Sequence, residues 1–133
     1  MNNGKDVSIV LCGQAGMGVQ TVEQLVSQMF RLAGLYVFAT KEYMSRVRGG
    51  MNSTSIRVGS RPVCAMVDRI DILIPLNKGG ISHVQKRLSK NTLILAEKDN
   101  FEDRPDIGKL NLADVPFTKI AEDLGNKVFT SVV

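Results

Sequence analysis

The sequence predicts an α/β fold with an open, mainly parallel sheet and helices on both faces. Three observations lead to this prediction: short apolar runs rich in β-branched residues, glycine-containing turns between them, and a helical period between two of the runs. The chain has 133 residues, which suits one domain, and 44% of them are hydrophobic. Only 5% are aromatic, so we expect an aliphatic core.

The first predicted unit is strand, helix, strand. Val7–Cys12 is an apolar run typical of a buried parallel strand. A helix is predicted over Val19–Ala33, and Gly34 can end it as a left-handed cap. Polar residues such as Glu23 are expected to face solvent. Leu35–Ala39 follows as the second strand. The apolar residues of the predicted buried helix face are Val22, Leu25, Val26, Met29, Phe30 and Ala33.

An antiparallel hairpin is predicted next. Thr40–Met51 loses periodicity and gains charge and glycine, which is typical of an exposed loop. Asn52–Val58 and Pro62–Val67 are strand-like, and the glycine-led pair between them is a common hairpin connection. Cys12 lies in the first strand and Cys64 in the second arm of the hairpin, so we expect both thiols to be buried.

A second strand–helix–strand unit follows the hairpin. Asp71–Leu76 and Thr92–Ala96 are the predicted strands, and Ile81, Val84 and Leu88 share one face of the predicted helix between them. The complete architecture is therefore an open, mainly parallel, Rossmann-like sheet with a β-hairpin insertion.

The last part of the chain gives weaker signals. Lys98–Lys109 has no period and is expected to be a surface excursion. Thr118 is a candidate cap for a short helix that Gly125 would close. Lys127–Val133 is apolar and has no terminating signal, so we expect residues 1–133 to be one domain cut from a longer chain.

Charge is unevenly distributed along the chain. The net charge is +4, and the segment between residues 41 and 61 carries the same excess, with five basic residues against Glu42. Such a segment suits an anionic ligand or an acidic partner, although a solvated basic face is an ordinary alternative. The basic residues are Lys41, Arg46, Arg48, Arg57 and Arg61.

Composition argues against several classes of function. Two cysteines cannot supply the four thiolates of a cubane iron–sulfur cluster, and a single histidine, His83, gives no zinc signature and no nucleophile–base pair. We therefore predict no catalytic and no metal-binding residues in this chain. The polar start and the lack of a long apolar run favour a cytoplasmic protein without a membrane segment. One aromatic residue in the basic segment disfavours nucleic acid as a partner.

The first candidate site is the glycine turn between the first strand and the first helix. Gly13, Gly16 and Gly18 allow positive φ and close backbone approach, and the free N–H groups at a helix start attract anions. The spacing is G-x-x-G-x-G, not the dinucleotide pattern, and no acidic residue ends the second predicted strand because Glu42 is assigned to the loop. The alternative is a tight turn packed against another subunit.

The second candidate site is the segment from Glu42 to Asn52. Arg48 is followed by Gly49 and Gly50, so a guanidinium can meet a carboxylate or phosphate while the backbone approaches closely. We expect these residues and Asn52 to converge with the glycine turn at the carboxyl edge of the sheet. A flexible basic loop is the alternative.

Together the two motifs resemble a known family. Gly13-x-Ala-Gly-x-Gly18 with Glu42-Tyr-x-Ser-x-x-Arg48-Gly-Gly-x-Asn52 is similar to the gamma domain of 2-oxoacid:ferredoxin oxidoreductases, closest to the form fused ahead of the alpha subunit. The likeness runs from Val7 to the end of the chain. Met17, Met44 and Arg46 depart from the usual pattern.

The resemblance implies a part of an enzyme, not a complete catalyst. It implies oxidative decarboxylation of a 2-oxoacid such as pyruvate or 2-oxoglutarate to an acyl-CoA, with electrons passed to ferredoxin or another acceptor. Thiamine diphosphate, magnesium and the iron–sulfur clusters are then expected on alpha and beta partner subunits, and CoA is a candidate ligand of the two motifs. A homodimer is expected to be accessible in isolation. The competing hypothesis is a free-standing nucleotide- or CoA-binding module.

Overall fold

A computed structural model describes residues 6–42, 50–101, 109–123 and 125, which contain six strands and three α-helices. Short 3-10 turns are present at Gln85–Arg87 and Lys98–Phe101. The strands are β1 Val7–Gln14, β2 Tyr36–Glu42, β3 Met51–Gly59, β4 Ile72–Pro75, β5 Leu93–Ala96 and β6 Asn111–Asp114. The helices are α1 Val19–Leu32, α2 Lys78–His83 and α3 Phe117–Asp123.

The six strands form one sheet in the order β2-β3-β1-β4-β5-β6. β3 is antiparallel to both of its neighbours, and β1, β4, β5 and β6 pair in parallel. Five strands therefore point the same way, so the predicted mainly parallel sheet is confirmed. β1 and β2 are not adjacent, because β3 lies between them.

The predicted hairpin is wrong in its second arm. The antiparallel strand is present as β3, but Pro62–Val67 forms no strand. β3 instead pairs along its length with β2 on one side and β1 on the other, so it has no free edge for a third partner. The side chain of Arg57 donates to the carbonyl oxygen of Ala65 at 2.7 Å, which ties the 60–71 connection to the sheet as a loop.

The core lies on both faces of the sheet. β1 shows the alternation: Ile9 and Leu11 pack on the side of α1, and Val10 and Cys12 pack on the side of α2. All four side chains are buried, as expected for a strand in the middle of a sheet that is covered on both sides. The prediction of helices on both faces is confirmed.

Helix α1 packs across β1, β3 and β2, but its buried face differs from the prediction. Glu23 is buried, whereas Leu25 and Met29 are exposed. The buried carboxylate is stabilised because Lys41 Nζ lies 3.1 Å from its Oε2 and the Ser27 hydroxyl donates to its Oε1 at 3.2 Å. The burial of Glu23 depends on a tertiary ion pair with β2, which helical spacing alone could not reveal.

The end of α1 agrees with the prediction. Gly34 has φ +81°, and its N–H donates to the carbonyl of Arg31 at 3.0 Å. The N–H of Leu35 donates to the carbonyl of Phe30, also at 3.0 Å, which completes a Schellman motif. The predicted left-handed cap at Gly34 is confirmed.

Helix α2 is shorter than its apolar pattern suggests. It ends at His83, and a 3-10 turn follows at Gln85–Arg87. Ile81 and Val84 are nonetheless buried and Leu88 packs against them, so the shared face is confirmed while the length of the helix is not.

Two features near the end of the described chain differ from the prediction. β6 was not predicted, because Asn, Ala and Asp are poor strand formers and only pairing with β5 makes this segment extended. Thr118 is not a cap: it lies inside α3, and its hydroxyl donates to Glu97 Oε2 at 2.6 Å. The predicted strand-like end at Lys127–Val133 lies outside the described residues.

The two cysteines should react at very different rates. Cys12 is fully buried, and burial raises the pKa of its thiol from 9.0 to about 12. Cys64 is exposed, which corrects the expectation that both thiols are buried. We expect one fast-reacting thiol per native chain in an alkylation time course, because only the thiolate attacks. Cys64→Ser should remove the fast phase and Cys12→Ser should leave it, and a fast Cys12 would contradict the packing of β1.

Candidate functional site

The glycine turn joins the carboxyl end of β1 to the amino end of α1. The N–H of Met17 donates to the carbonyl of Gln14 at 3.1 Å and closes a four-residue turn. Gly16 has φ +90° and Gly18 has φ +77°, and both values favour glycine. Gly18 is the N-cap of α1. The turn therefore presents backbone, with no Cβ at its two bends.

Gly13 has a different task from the other two glycines. It lies within β1 and is buried. A Cβ at this position would lie 3.0 Å from Val19 Cγ2 and 3.2 Å from Leu76 Cβ. Gly13 thus allows the first turn of α1 and the end of β4 to pack closely against β1. Sequence alone cannot distinguish this packing role from contact with a ligand.

Strand β3 brings the second candidate segment to the same place. In the β1–β3 ladder, Gly13 is opposite Asn52 and Gln14 is opposite Met51. A cavity of about 350 Å³ lies between the turn and the start of β3. Gly50 precedes β3 and is half-buried, whereas Arg46, Arg48 and Gly49 lie outside the described residues. The residues that line the cavity are Gln14, Gly16, Gly18, Val19, Gln20, Thr21, Asn52, Ser53 and Thr54.

The cavity is suited to an anion. The first turn of a helix leaves backbone N–H groups without intrahelical acceptors, and the helix dipole adds a partial positive charge there. The N-cap residue Gly18 has no side chain with which to cap α1, and the first turn of this fully described helix carries no acidic residue. Thr21, Asn52 and Ser53 add polar side chains around the same space.

Glu42 ends β2, which corrects its assignment to the loop. The strand extends three residues beyond the predicted Ala39, because every residue of β2 pairs with β3. Glu42 Oε2 accepts a hydrogen bond at 3.1 Å from the hydroxyl of Ser53, which lines the cavity, whereas Glu42 itself is not a lining residue. It lies two strand spacings from β1, about 10 Å, whereas a dinucleotide fold places the acidic strand next to β1.

The described basic residues of the segment 41–61 do not form one surface patch. Lys41 pairs with Glu23 beneath α1. Arg57 lies near the amino end of β1, where its Nε is 2.6 Å from Asp6 Oδ2, and Arg69 joins the same carboxylate at 3.0 Å. The hydrogen bond from Arg57 lowers the pKa of Asp6. These contacts place Arg57 at the opposite end of the sheet from the cavity, where it stabilises the fold.

Elsewhere in the part of the chain that the structure describes, no group of side chains suggests chemistry. Within the described ranges, no cluster of three or more His, Cys, Asp or Glu residues could hold a metal ion. His83, at the end of α2, is half-buried. Of the helices in those same ranges, none has the length and apolar character needed to cross a bilayer.

Comparison with known proteins decides the family. The family model described as pyruvate ferredoxin/flavodoxin oxidoreductase matches residues 8–133. The chain belongs to this family.

Curated relatives within the family are much longer than this chain. The 2-oxoacid:ferredoxin oxidoreductase subunit alpha of Sulfolobus sp is 29% identical over 68 residues, which are 51% of this chain and 11% of the relative. The subunit alpha of 2-oxoacid:ferredoxin oxidoreductase 1 from Sulfurisphaera tokodaii is 28% identical over a stretch that covers the same shares. The matched stretch thus spans about a tenth of each relative.

Solved structures share the fold. The 2-oxoglutarate:ferredoxin oxidoreductase from Magnetococcus marinus has a TM-score of 0.81 at 18% identity, over 96% of this chain and 23% of that one. The gamma subunit of keto/oxoacid ferredoxin oxidoreductase from Geobacter sulfurreducens has a TM-score of 0.79 at 17% identity, over 96% and 71%. Pyruvate oxidoreductase subunit PORC from Thermotoga maritima has a TM-score of 0.71 at 22% identity, over 95% and 71%.

Proposed function

We propose that this chain is the gamma-type domain of a cytoplasmic 2-oxoacid:ferredoxin oxidoreductase, and that it supports assembly and binds CoA without containing the catalytic centre. The observation that carries the proposal is the cavity at the start of α1, where Gly16, Gly18 and Asn52 meet in a member of this family. The reaction of the whole enzyme would convert a 2-oxoacid and CoA into acyl-CoA, carbon dioxide and a proton, with the two electrons released passed to oxidised ferredoxin.

The chemistry of the cavity supports CoA as the ligand. CoA carries a diphosphate, and the start of a helix with free N–H groups and positive φ glycines is a common diphosphate site. The Magnetococcus marinus enzyme, whose matched region has the same fold, is described with 2-oxoglutarate, coenzyme A and succinyl-CoA bound. We infer that the diphosphate meets the N–H groups at the start of α1, with the Asn52 amide beside it, and we propose Arg48 as a further CoA ligand on the strength of its sequence motif alone.

The remaining cofactors would be held by partners. Thiamine diphosphate with its magnesium, and the iron–sulfur clusters, need ligand sets that alpha and beta subunits or domains would supply. Ferredoxin or another acceptor would then meet those partners and not this chain. The alternative is a free-standing nucleotide or CoA module, to which Glu42, bound to Ser53 of the cavity wall, would offer a ribose acceptor.

Reconstitution tests membership in the complex. The catalytic partner subunits, purified without this chain, should show little 2-oxoacid-dependent and CoA-dependent reduction of ferredoxin, and adding the chain should restore it together with a stable complex. In the most informative version of the experiment, the chain is added to partner subunits that already carry thiamine diphosphate and intact iron–sulfur clusters. Full activity of those partners alone, or no association with the chain, would contradict the proposal and favour the free-standing module. Calorimetry of the chain with CoA, NAD and ATP would then identify the ligand of that module.

A further inference from the structure

A buried ion pair crosses from α1 to β2 beside the cavity. The side chain of Glu23, in the second turn of α1, is 8% exposed, and that of Lys41, in β2, is 33% exposed. Lys41 Nζ lies 3.1 Å from Glu23 Oε2, and the Ser27 hydroxyl donates to Glu23 Oε1 at 3.2 Å. Among the described residues, Glu23 Oε2 has no hydrogen-bond partner, so the charge of Lys41 is what balances it.

The two partners are attached to opposite walls of the cavity. On the helix side, Glu23 follows Val19 by about one turn, and Val19 lines the cavity. On the strand side, Lys41 is directly opposite Thr54 in the β2–β3 ladder, and Thr54 also lines the cavity. Opposed side chains lie about 5 Å apart on the same face of a sheet. The ion pair therefore connects the helical wall to the wall formed by strands.

Stability alone does not account for an ion pair at this place. Burial removes water from both charges, and that cost offsets most of their attraction, so two apolar side chains of the same size would pack there as well or better. A buried pair can instead select one arrangement of the elements that carry it, as a buried polar residue fixes the register of a coiled coil. The arrangement here is that of α1 on β2 and β3.

The start of α1 needs such a restraint. Its ligand-facing groups are backbone N–H groups, whose position depends on where the first turn lies on the sheet. The turn before the helix contains Gly16 and Gly18, which allow more backbone freedom than other residues do. The hydrogen bonds that close this region run from the N–H of Met17 to the carbonyl of Gln14, and from the N–H of Val22 to the carbonyl of Gly18.

We propose that the Glu23–Lys41 ion pair positions the start of α1 against β3, so that the N–H groups of its first turn face an anion in the cavity. The proposal rests on the proposed function, since it takes the diphosphate of CoA as that anion. Glu23 and Lys41 are positioning residues, because neither of them lines the cavity. Donors that are held in place before the ligand arrives bind it more tightly, without any new contact.

Lys41→Met tests the proposal in the complete oxidoreductase, because it removes the charge and keeps most of the side-chain length. The KM for CoA should rise about 10-fold, while kcat at saturating CoA stays at the wild-type value. In the same enzyme without CoA, hydrogen exchange in the segment 15–24, followed by mass spectrometry, should become about 10-fold faster. Lys41→Arg keeps the charge and should return both measurements to their wild-type values.

Arg57→Met is the matched control. It removes a cation of β3 that pairs with Asp6 at the opposite end of the sheet. It should lower the melting temperature and leave both the KM for CoA and the exchange of the segment 15–24 unchanged.

Glu23→Leu separates positioning from simple attraction of the ligand by Lys41. Removing a carboxylate near an anion site would lower the KM for CoA if Lys41 acted only through its charge. A positioning pair loses its effect when either partner is removed, so we expect this KM to rise. The double variant Glu23→Leu with Lys41→Met leaves no buried charge, and it should give the same rise should Lys41→Met fail to fold.

Unchanged exchange in Lys41→Met, or a lowered KM for CoA in Glu23→Leu, would overturn the proposal. A wild-type KM in Lys41→Met would also overturn it, provided that Gly16→Val, which distorts the turn itself, raises this KM. If Gly16→Val leaves the KM unchanged as well, the cavity does not bind CoA and the proposed function fails. In that case the exchange measurement alone decides whether the ion pair positions the turn.

Discussion

Replacing Gly80 with alanine should lower the melting temperature of the protein by about 10 °C. A Cβ at this position would lie 2.9 Å from Pro75 Cβ, 3.1 Å from Cys12 Cβ and 3.2 Å from Pro75 Cα. These atoms belong to β1 and β4, which are paired with each other inside the sheet and cannot move aside. Such overpacking costs about 3 kcal/mol, and each kcal/mol shifts the melting temperature of a domain of this size by roughly 3–5 °C.

Gly79 provides the matched control. Its Cβ would meet Met51 Sδ at 3.2 Å, and a methionine side chain can rotate away. Both glycines lie in the same short helix, so the gain of about 1 kcal/mol in helix propensity from alanine is common to both. Gly79→Ala should therefore be close to neutral or slightly stabilising in a thermal melt. Equal losses in the two variants would show that the close packing of α2 on β1 and β4 does not exist.

Features that depend on local chemistry could be predicted from the sequence. The left-handed cap at Gly34 and the turn at Gly16 and Gly18 follow from what glycine alone can do. The first strand is likewise recognisable from its β-branched apolar run, and the resemblance to the family rests on the glycine turn together with the Glu42–Asn52 motif.

Features that depend on distant pairing could not be predicted. β3 pairs with β1, from which α1 and β2 separate it along the chain, and β6 is a strand only because β5 lies beside it. Glu23 has the polarity of a surface residue and is buried because Lys41 reaches it from another element.

The candidate site contains some features that could be predicted from the sequence and others that could not. The spacing of Gly16 and Gly18 predicts a tight turn at the start of α1, which the structure contains, whereas the packing role of Gly13 follows only from the positions of Val19 and Leu76. The meeting of the turn with Asn52 depends on the register of β1 and β3. Glu42 reaches Ser53 of the cavity wall because β2 is three residues longer than its apolar run, and no local signal marks that extension.

Replacing Gly16 with valine should weaken the use of CoA by the assembled enzyme. The residue has φ +90° and lines the cavity, so a branched side chain would distort the turn and displace the N–H groups that we assign to the diphosphate. Loss of one hydrogen bond to a charged group costs about 2 kcal/mol, or roughly 30-fold in affinity. Gly34→Val is the matched control, because Gly34 has φ +81°, also has open space around it, and lies at the other end of α1.

The KM for CoA of the complete oxidoreductase, measured at equal complex content, tests the central claim most directly. We predict that Gly16→Val raises this KM about 30-fold, while Gly34→Val, at a similar cost in melting temperature, leaves it at the wild-type value. A wild-type KM for CoA in a fully assembled Gly16→Val enzyme would contradict the claim that this cavity binds CoA.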